Sequence, residues 1–413
     1  MASKRLAEPE PVLAAVSAPI PTPDEILARV ARIAPILDRT AGESERKRTL
    51  CAEALTALHA TGLFGLWAPT EVGGYDADLV TQVDVLIEVA RADMSACWTM
   101  MIGTTVTGVM AAGLPDEGMD EVFSGERLPI AAGSLKPSGR AEPVSGGYRV
   151  SGRWGFGSGI HHAGWIVANC LVTEDGEPRQ PVEGISLAVP IADVEIEDDW
   201  HVAGLCGTGS SSYSVTDVFV PQRRAIQAPR KRGSFFNANP GPRLPIEHAA
   251  VSLGGARRAL DEVVGLAGSK RRLMDPATLA HKESFQLELG ALQARWQTCV
   301  AGVRESAAEL WQTIEAGRPI DSSATKLKAI CAHAVEESLA IGGRAFRQAG
   351  ASAVHETDVL QRIYRDLAVA AQHAMVSDAA YAEFGKMLLE EPRQATRIQR
   401  ATRAPGCALV QER

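Results

Sequence analysis

The first candidate for acid–base chemistry is His373, which follows the run Leu360-Gln-Arg-Ile-Tyr-Arg-Asp366 near the end of the chain. A helical pattern over residues 358–390 places His373 on a second apolar face, between Val369 and Val376. A helix that is apolar on two sides is buried between layers, so this histidine is expected to face the interior. A histidine with a pKa near neutrality suits the activation of a phenol-like or other weakly acidic substrate, but a satisfied core histidine gives the same pattern.

The second candidate is Ser158, which carries the side-chain hydroxyl of the glycine-rich run Trp154-Gly-Phe-Gly-Ser-Gly159. Glycine within a strand often marks the close approach of a ligand or of another backbone. A flat aromatic ligand could lie against Trp154 with Ser158 at its edge. An ordinary glycine-rich β-bend explains the same run, so both interpretations are open at this point.

The composition is that of a soluble globular chain. Its 413 residues are 46% hydrophobic and 22% charged, and the net charge of −8 is spread without long runs of one sign. This distribution argues against nucleic-acid and membrane partners. Seven dispersed cysteines without a Cys-x-x-Cys motif, and no secretory signal, indicate a cytoplasmic protein with reduced thiols. The adjacent His161 and His162 have no partner at ligand spacing, so no metal site is expected.

The elements that must position these residues fall into three consecutive blocks. We predict an α+β chain with an N-terminal helical domain at 22–128, a β-sandwich or barrel domain at 129–232 and a bundle of four long helices at 233–391, flanked by a flexible arm at 1–21 and a polar tail at 392–413. Segregated helices and strands argue against a Rossmann fold. The chain also lacks a strand-linked G-x-G-x-x-G run and a P-loop, so no nicotinamide site is expected.

Three stretches carry a resemblance to a known family. Residues 151–165 resemble flavin-contacting strands, residues 204–221 resemble the closing strand "G-x-x-G-T-x-S … V-x-D-V-x-V-P", and residues 360–366 match the signature "L-Q-R-x-x-R-D". From about Asp24 to about Leu389, the chain therefore resembles the acyl-CoA dehydrogenase superfamily. Within it, the resemblance is strongest to the oxygenase components of two-component flavin-dependent monooxygenases.

This resemblance implies an oxidoreductase that takes reduced FMN or FAD from a separate flavin reductase. The enzyme would react the flavin with O2 through a C4a-hydroperoxyflavin and hydroxylate a small aromatic or heteroatom-bearing substrate. His373 is implied as the catalytic base, because fatty-acyl dehydrogenases often carry a glutamate near this place, which here holds His373 and Ala374. Ser158 is implied as a hydrogen-bond donor near flavin N5 and O4. A homotetramer is the family expectation.

The resemblance also implies further contacts. The substrate pocket is expected at Trp98, Thr104, Thr105 and His373. Many of these monooxygenases carry a histidine near Thr104, so this chain departs from their pattern there. The flavin is expected to contact Trp154, Ser158, Gly207, Thr208, Gly209, Ser210, Lys282, Phe285, Gln348 and Gly350. Lys282 replaces the usual arginine, which removes a bidentate contact.

Two alternatives stay open. Some acyl-CoA dehydrogenases carry their base on an earlier helix, and Glu247 lies where that glutamate would be. An FAD-dependent acyl-CoA dehydrogenase is therefore the runner-up, although a first-turn carboxylate favoured by the helix dipole also explains Glu247. The third interpretation is a non-catalytic flavin-binding scaffold.

Overall fold

The computed structural model describes residues 19–125, 127–226, 232–234 and 241–390. The predicted tail at 392–413 and most of the predicted arm at 1–21 lie outside these residues. Within the described residues the chain forms helices, then a sheet, then helices again, which confirms the predicted α+β order.

The N-terminal block contains five α-helices among the described residues. They are α1 Pro23–Lys47, α2 Ala52–Thr61, α3 Leu79–Ala92, α4 Met94–Gly113 and α5 Asp116–Val122. Helix α1 begins after Thr22, because Thr22 and Glu25 form a reciprocal capping box there. Helix α4 is long and apolar enough to span a membrane by composition, but 83% of its apolar window is buried inside the protein. It is the core helix of this block.

The middle block is one mixed sheet. Its strands are β1 Ala131–Gly133, β2 Gly139–Val144, β3 Gly147–Trp154, β4 Trp165–Glu174, β5 Glu177–Pro178, β6 Gly184–Pro190, β7 Glu195–Ile196, β8 Tyr213–Pro221 and β9 Ala225–Ile226. They bond in the order β7-β8-β3-β2-β4-β6-β9, with β1 and β5 paired to β4. The predicted hairpin is present, because Gly146 at φ +82° turns β2 into the antiparallel β3.

The C-terminal block is helical. It contains α6 Leu244–Ala267, α7 Glu283–Glu315, α8 Asp321–Ala349, α9 Val359–Ala370 and a last helical segment at 379–390. Helix α6 packs against both α8 and α3, and it therefore joins the bundle to the N-terminal helices. Helix α7 begins only at Glu283, and Arg271 and Thr278 pair in an isolated bridge before it.

The prediction of one helix over 358–390 is wrong. Helix α9 ends at Ala370, and the backbone of His373 is extended at φ −72° and ψ 133°. The His373 side chain accepts the backbone N–H of Met375 and begins a single turn at Ala374–Val376. This hydrogen bond between side chain and backbone competes with the backbone hydrogen bonds of a continuing helix. The helix therefore ends, although the apolar pattern of the sequence continues.

Candidate functional site

The break after α9 places His373 against His248 of α6. The two imidazole rings stack with centroids 3.8 Å apart and an interplanar angle of 22°. Trp98 of α4 meets both rings edge-on, at 5.0 Å from His248 and 5.8 Å from His373. Two predicted pocket residues, Trp98 and His373, are therefore brought together. The sequence analysis missed His248, for which the available signal was its position next to Glu247 at the start of a buried helix.

Hydrogen bonds assign different tautomers to the two histidines. His248 Nδ1 lies 2.7 Å from the carbonyl oxygen of Leu244, which can only accept, so Nδ1 carries the proton and Nε2 the lone pair. This Nε2 is buried and has no partner among the described residues. His373 Nδ1 accepts the N–H of Met375 at 3.3 Å, so its proton is on Nε2. The pair thus offers one N–H donor and one free lone pair.

Burial keeps both rings neutral. It lowers the pKa of His248 to about 3, with His373 adding to the effect, and it lowers the pKa of His373 to about 4. Both values lie well below the near-neutral pKa expected from the sequence. The rings therefore act at pH 7 as neutral hydrogen-bonding groups.

Three hydroxyl side chains form a hydrogen-bond chain that runs in one direction. They are Ser158, Ser210 and Thr208, here called the hydroxyl cluster. Thr208 donates to the carbonyl of Leu205 at 2.8 Å, and its oxygen lies 2.7 Å from Ser210. Ser210 lies 2.8 Å from Ser158, which accepts Trp98 Nε1–H at 3.2 Å. Because the carbonyl takes the Thr208 proton, Ser210 must donate to Thr208, and Ser158 to Ser210. The hydroxyl of Ser158, which is predicted to donate a hydrogen bond to the flavin, thus donates to the neighbouring hydroxyl of Ser210.

Backbone contacts bind the two loops that carry this cluster. Gly157 N–H donates to Ser211 at 3.1 Å, and Gly159 N–H donates to Thr208 at 2.9 Å. Gly209 has φ +54°, and a Cβ there would lie 2.8 Å from the ring of His161, so glycine is required. The predicted segment Gly207–Ser210 is therefore held directly beside Ser158.

The signature run at 360–366 holds the same loop from the other side. The Asp366 carboxylate accepts the N–H of Leu205 at 2.5 Å, and Arg365 donates to the carbonyl of Ala203 at 2.7 Å. Leu205 has φ +52°, an uncommon conformation for a bulky side chain, and these contacts maintain it. Burial raises the pKa of Asp366 to about 7. The signature therefore positions the loop of the hydroxyl cluster.

The structure contradicts the expected flavin contact of Trp154. Its ring is 1% exposed, stacks on Tyr213 at 5.5 Å and donates to the carbonyl of Asn169 at 2.9 Å, so it belongs to the sheet core. Phe156 is instead 75% exposed, with the ring of Trp200 edge-on at 6.2 Å. The φ of +62° at Phe156 ends the strand alternation that would have pointed it inward with Trp154. Phe156 is the aromatic ring open to a ligand beside Ser158.

Thr104 and Thr105 have separate partners. Thr104 accepts the backbone N–H of Trp67 at 3.1 Å and thereby holds the loop before α3. Thr105 Oγ1 donates to the carbonyl of Met101 at 2.7 Å and lies 3.1 Å from Glu247 Oε2. Of these two predicted pocket residues, only Thr105 reaches the first turn of α6.

Four buried side chains lie at the start of α6 and are here called the α6 cluster: Trp67, Arg243, Glu247 and His248. The Arg243 guanidinium stacks on Trp67, with Cζ 3.2 Å from the ring centroid. Its Nε lies 3.8 Å from Glu247 Oε1, which is beyond hydrogen-bond distance. Polar atoms of all four side chains lack a partner among the described residues. Burial lowers the pKa of Arg243 to about 9 and raises that of Glu247 to about 8.

The structure places four predicted flavin contacts elsewhere in the bundle: Lys282, Phe285, Gln348 and Gly350. Lys282 forms an ion pair with Asp275, and Gln348 accepts a bond from Arg272 at 2.7 Å. Phe285 is 4% exposed, and Gly350 has φ +67°. Their role at a subunit contact stays a prediction.

The adjacent histidines of the β-domain have hydroxyl partners. His161 Nε2 lies 3.2 Å from Ser211 Oγ, and His162 Nε2 lies 2.9 Å from Thr49 Oγ1. In the described part of the chain, no group of three His, Cys, Asp or Glu side chains is arranged to hold a metal ion.

Comparisons with known proteins match most of the chain. The family model "Acyl-CoA dehydrogenase, N-terminal domain" matches residues 29–117, and "Acyl-CoA dehydrogenase, C-terminal domain" matches residues 246–378. The chain is 28% identical to the indole-3-acetate monooxygenase of Pseudomonas putida, over 84% of this chain and 89% of that protein. It is also 28% identical to the flavin-dependent monooxygenase oxygenase subunit HsaA of Rhodococcus jostii, over 87% and 97%.

Solved structures agree with these relatives. XiaF from Streptomyces sp., in complex with FADH2 and glycerol, superposes with a TM-score of 0.83 at 26% identity, over 89% of this chain and 96% of that chain. The 3-HSA hydroxylase of Rhodococcus sp. RHA1 superposes with a TM-score of 0.80 at 26% identity, over 89% and 97%.

Proposed function

The chain belongs to the acyl-CoA dehydrogenase superfamily, among its flavin-dependent monooxygenases, and from this premise we propose how it acts as the oxygenase component of a two-component system. It takes reduced FMN or FAD and O2 and hydroxylates a small aromatic or heteroatom-bearing substrate. The observation that carries the mechanism is the stacked pair of His248 and His373, which touches the same tryptophan that donates to Ser158.

The flavin site lies on the face of the β-domain that carries Phe156 and the hydroxyl cluster. The exposed ring of Phe156 offers a stacking surface, and Ser158 lies two residues away on a glycine-rich loop. The loop Gly207–Ser210 supplies backbone without bulky side chains beside it. Reduced flavin, when bound, would supply the two electrons with which one atom of O2 enters the substrate and the other leaves as water. Ser158 then acts as the hydrogen-bond donor at the ring edge once its hydroxyl turns from Ser210.

The substrate side is formed by the two histidines and Trp98. His248 Nε2 accepts a hydrogen bond from an O–H or N–H group of the substrate, and His373 Nε2–H donates to the same or an adjacent atom. The sequence analysis assigned the base to His373, whereas the hydrogen bonds assign the free lone pair to His248. Trp98 and Ser158 are each only 7% exposed, so the reacting atoms are shielded from bulk water.

A separate flavin reductase and a homotetramer complete the proposal, and we place the enzyme in the cytoplasm. Three exposed apolar residues near the start of α7 support assembly: Leu273 is 94%, Met274 96% and Leu287 76% exposed. They lie near Lys282 in sequence, where the flavin of a neighbouring subunit is expected. Light scattering of the purified protein tests the tetramer, and a monomer at micromolar concentration would rule it out.

The test of the function is stopped-flow mixing of apo-protein and chemically reduced flavin with oxygenated buffer, without substrate. We expect a long-lived absorbing species before oxidised flavin forms, for FMN, FAD or both, and free flavin without protein is the control. Immediate reoxidation, with tightly bound FAD that an acyl-CoA bleaches, would instead support the dehydrogenase with Glu247. That alternative is not adopted, because the relatives described above are monooxygenases.

A further inference from the structure

Arg243 is a buried guanidinium without a hydrogen-bond acceptor in the described part of the chain. Its side chain is 1% exposed, and Nε, Nη1 and Nη2 have no partner among the described residues. Trp67 covers one face of the guanidinium at 3.2 Å, but its five N–H groups point outward in the plane. Such an arrangement is strongly unfavourable unless oxygen atoms arrive at that edge.

Glu247 does not supply those oxygens. Its Oε1 stays 3.8 Å from Arg243 Nε and is itself without a partner. Its Oε2 contacts Thr105, whose single proton has a closer acceptor in Met101 at 2.7 Å. A protonated Glu247 that donates to Thr105 satisfies this geometry, and the burial that raises the pKa of Glu247 has the same effect. The α6 cluster then carries one positive charge, on which the carboxylate of Asp76 acts from outside the cluster.

The α6 cluster and the histidine pair both contact α4, because His248 meets Trp98 and Glu247 contacts Thr105. Arg243 precedes His248 by five positions at the start of α6, which separates them by roughly 7.5 Å along the helix axis and by roughly 140° around it. His248 stacks on His373, and Trp98 connects both rings to Ser158. A ring packed beside the histidine pair and Trp98 could extend a short substituent along α6 toward Arg243.

We propose that Arg243 binds a carboxylate of the substrate, so that the enzyme acts on small aromatic acids with a short tether between ring and carboxylate. This inference rests on the proposed function, which places the ring. A carboxylate presents two coplanar oxygens that match the guanidinium fork, and the stacking on Trp67 holds that fork in one plane. The α6 cluster contains a single cation, which suits one negative charge. Trp67 Nε1–H, also without a partner, is available as a further donor.

The test compares acids with their uncharged amides by calorimetric titration of the full-length protein. The probes are benzoate, phenylacetate and indole-3-acetate, each paired with its amide. We expect at least one acid to bind about tenfold more tightly than its amide, which is the effect of one charge-assisted pair. Arg243→Gln removes this preference. The matched control is Arg257→Gln, because Arg257 also lies over a tryptophan, Trp296, but is already paired with Asp261.

Two further variants keep the test decisive if Arg243→Gln does not fold. Arg243→Lys retains the positive charge but loses the planar guanidinium fork. Its preference for the acid over the amide should lie between that of wild type and that of Arg243→Gln. Glu247→Gln removes the neighbouring carboxylate and should retain the preference. The proposal is overturned if no acid binds more tightly than its amide in wild type, or if Arg243→Gln keeps the preference. Failure of the proposed function is recognised separately, in the substrate-free oxygen reaction of the wild-type protein.

Discussion

The hydroxyl cluster and the α6 cluster are both buried and polar, but they differ in how their hydrogen bonds are satisfied. In the hydroxyl cluster every hydroxyl proton has an acceptor. All the hydrogen bonds are donated in the same direction, from Trp98 toward the carbonyl of Leu205. In the α6 cluster, Arg243, Glu247 and His248 all retain atoms that no described residue contacts by a hydrogen bond. A satisfied network is rigid and specifies one arrangement, whereas orphaned buried groups are costly.

This difference assigns different tasks to the two regions. The hydroxyl cluster is complete without a ligand and is anchored by Asp366, so it suits a fixed edge against which a cofactor lies. The α6 cluster is complete only when a ligand brings a donor for His248 and acceptors for Arg243. We therefore expect substitutions in the α6 cluster and at His373 to act on substrate turnover, and substitutions in the hydroxyl cluster to act on the flavin reaction.

Substitutions in the histidine pair should have the largest effect, which is a loss of substrate turnover. Replacing His248 or His373 by Ala removes a proton acceptor or donor at the substrate and should lower product formation by roughly 100-fold. The oxygen reaction without substrate should be retained. His355→Ala is the control, because His355 is exposed and lies outside the site. Loss of less than about twofold for both variants in single-turnover product assays would mean that the pair is only structural.

Substitutions of Trp154 and Phe156 should have different effects, because Trp154 lies in the sheet core and Phe156 on the surface. Trp154→Ala should lower the free energy of unfolding by about 3–5 kcal/mol, because it empties the sheet core. Phe156→Ala should change it by about 0.5 kcal/mol or less, as expected for an exposed site. We expect Phe156→Ala to weaken flavin binding by roughly tenfold through loss of a stacked ring. Denaturant unfolding and flavin titration measure the two effects, and an unchanged flavin affinity would remove Phe156 from the site.

The direction of the hydroxyl chain predicts unequal effects for two serines. Ser158→Ala removes the donor at the flavin edge and should increase hydrogen peroxide release per O2 consumed by up to about tenfold. Ser210→Ala frees the Ser158 proton instead, so its effect on peroxide release should be small. Ser214→Ala on β8 is the control. Equal effects of the two cluster variants would contradict the one-directional assignment.

The last prediction concerns the pH dependence of stability, and its effect is absent at neutral pH. His248 has its pKa lowered to about 3 in the folded state from an ordinary 6.5, so in between only the unfolded state binds the proton. The stability it contributes is present above pH 6.5 and is lost as the pH falls toward 3, at up to about 1.4 kcal/mol per pH unit. His248→Asn should flatten this acid loss in denaturant unfolding. The exposed His355→Asn should leave the slope unchanged, and an equal slope in both variants would contradict the burial of His248.

Local sequence signals determined the architecture and part of the site. The capping box at Thr22, the turn at Gly146 and the apolar pattern of α6 each depend on residues within one turn or hairpin, so they can be read from spacing. The signature run and the glycine-rich loops identified Ser158, Ser210 and His373 by resemblance. The physical reason is that backbone geometry and periodic burial are short-range properties of the chain.

Only the tertiary structure decided which side chains meet and which atoms stay unpaired. His248 is 125 positions from the histidine on which it stacks, as the residue numbers 248 and 373 give, and Arg243 lies over Trp67 from another domain. The outward turn of Phe156 and the inward burial of Trp154 depend on one backbone angle that spacing does not encode. The pKa values of Glu247 and His248 follow from burial by several helices. Contacts between distant segments, and the desolvation they cause, therefore set the chemistry of this site.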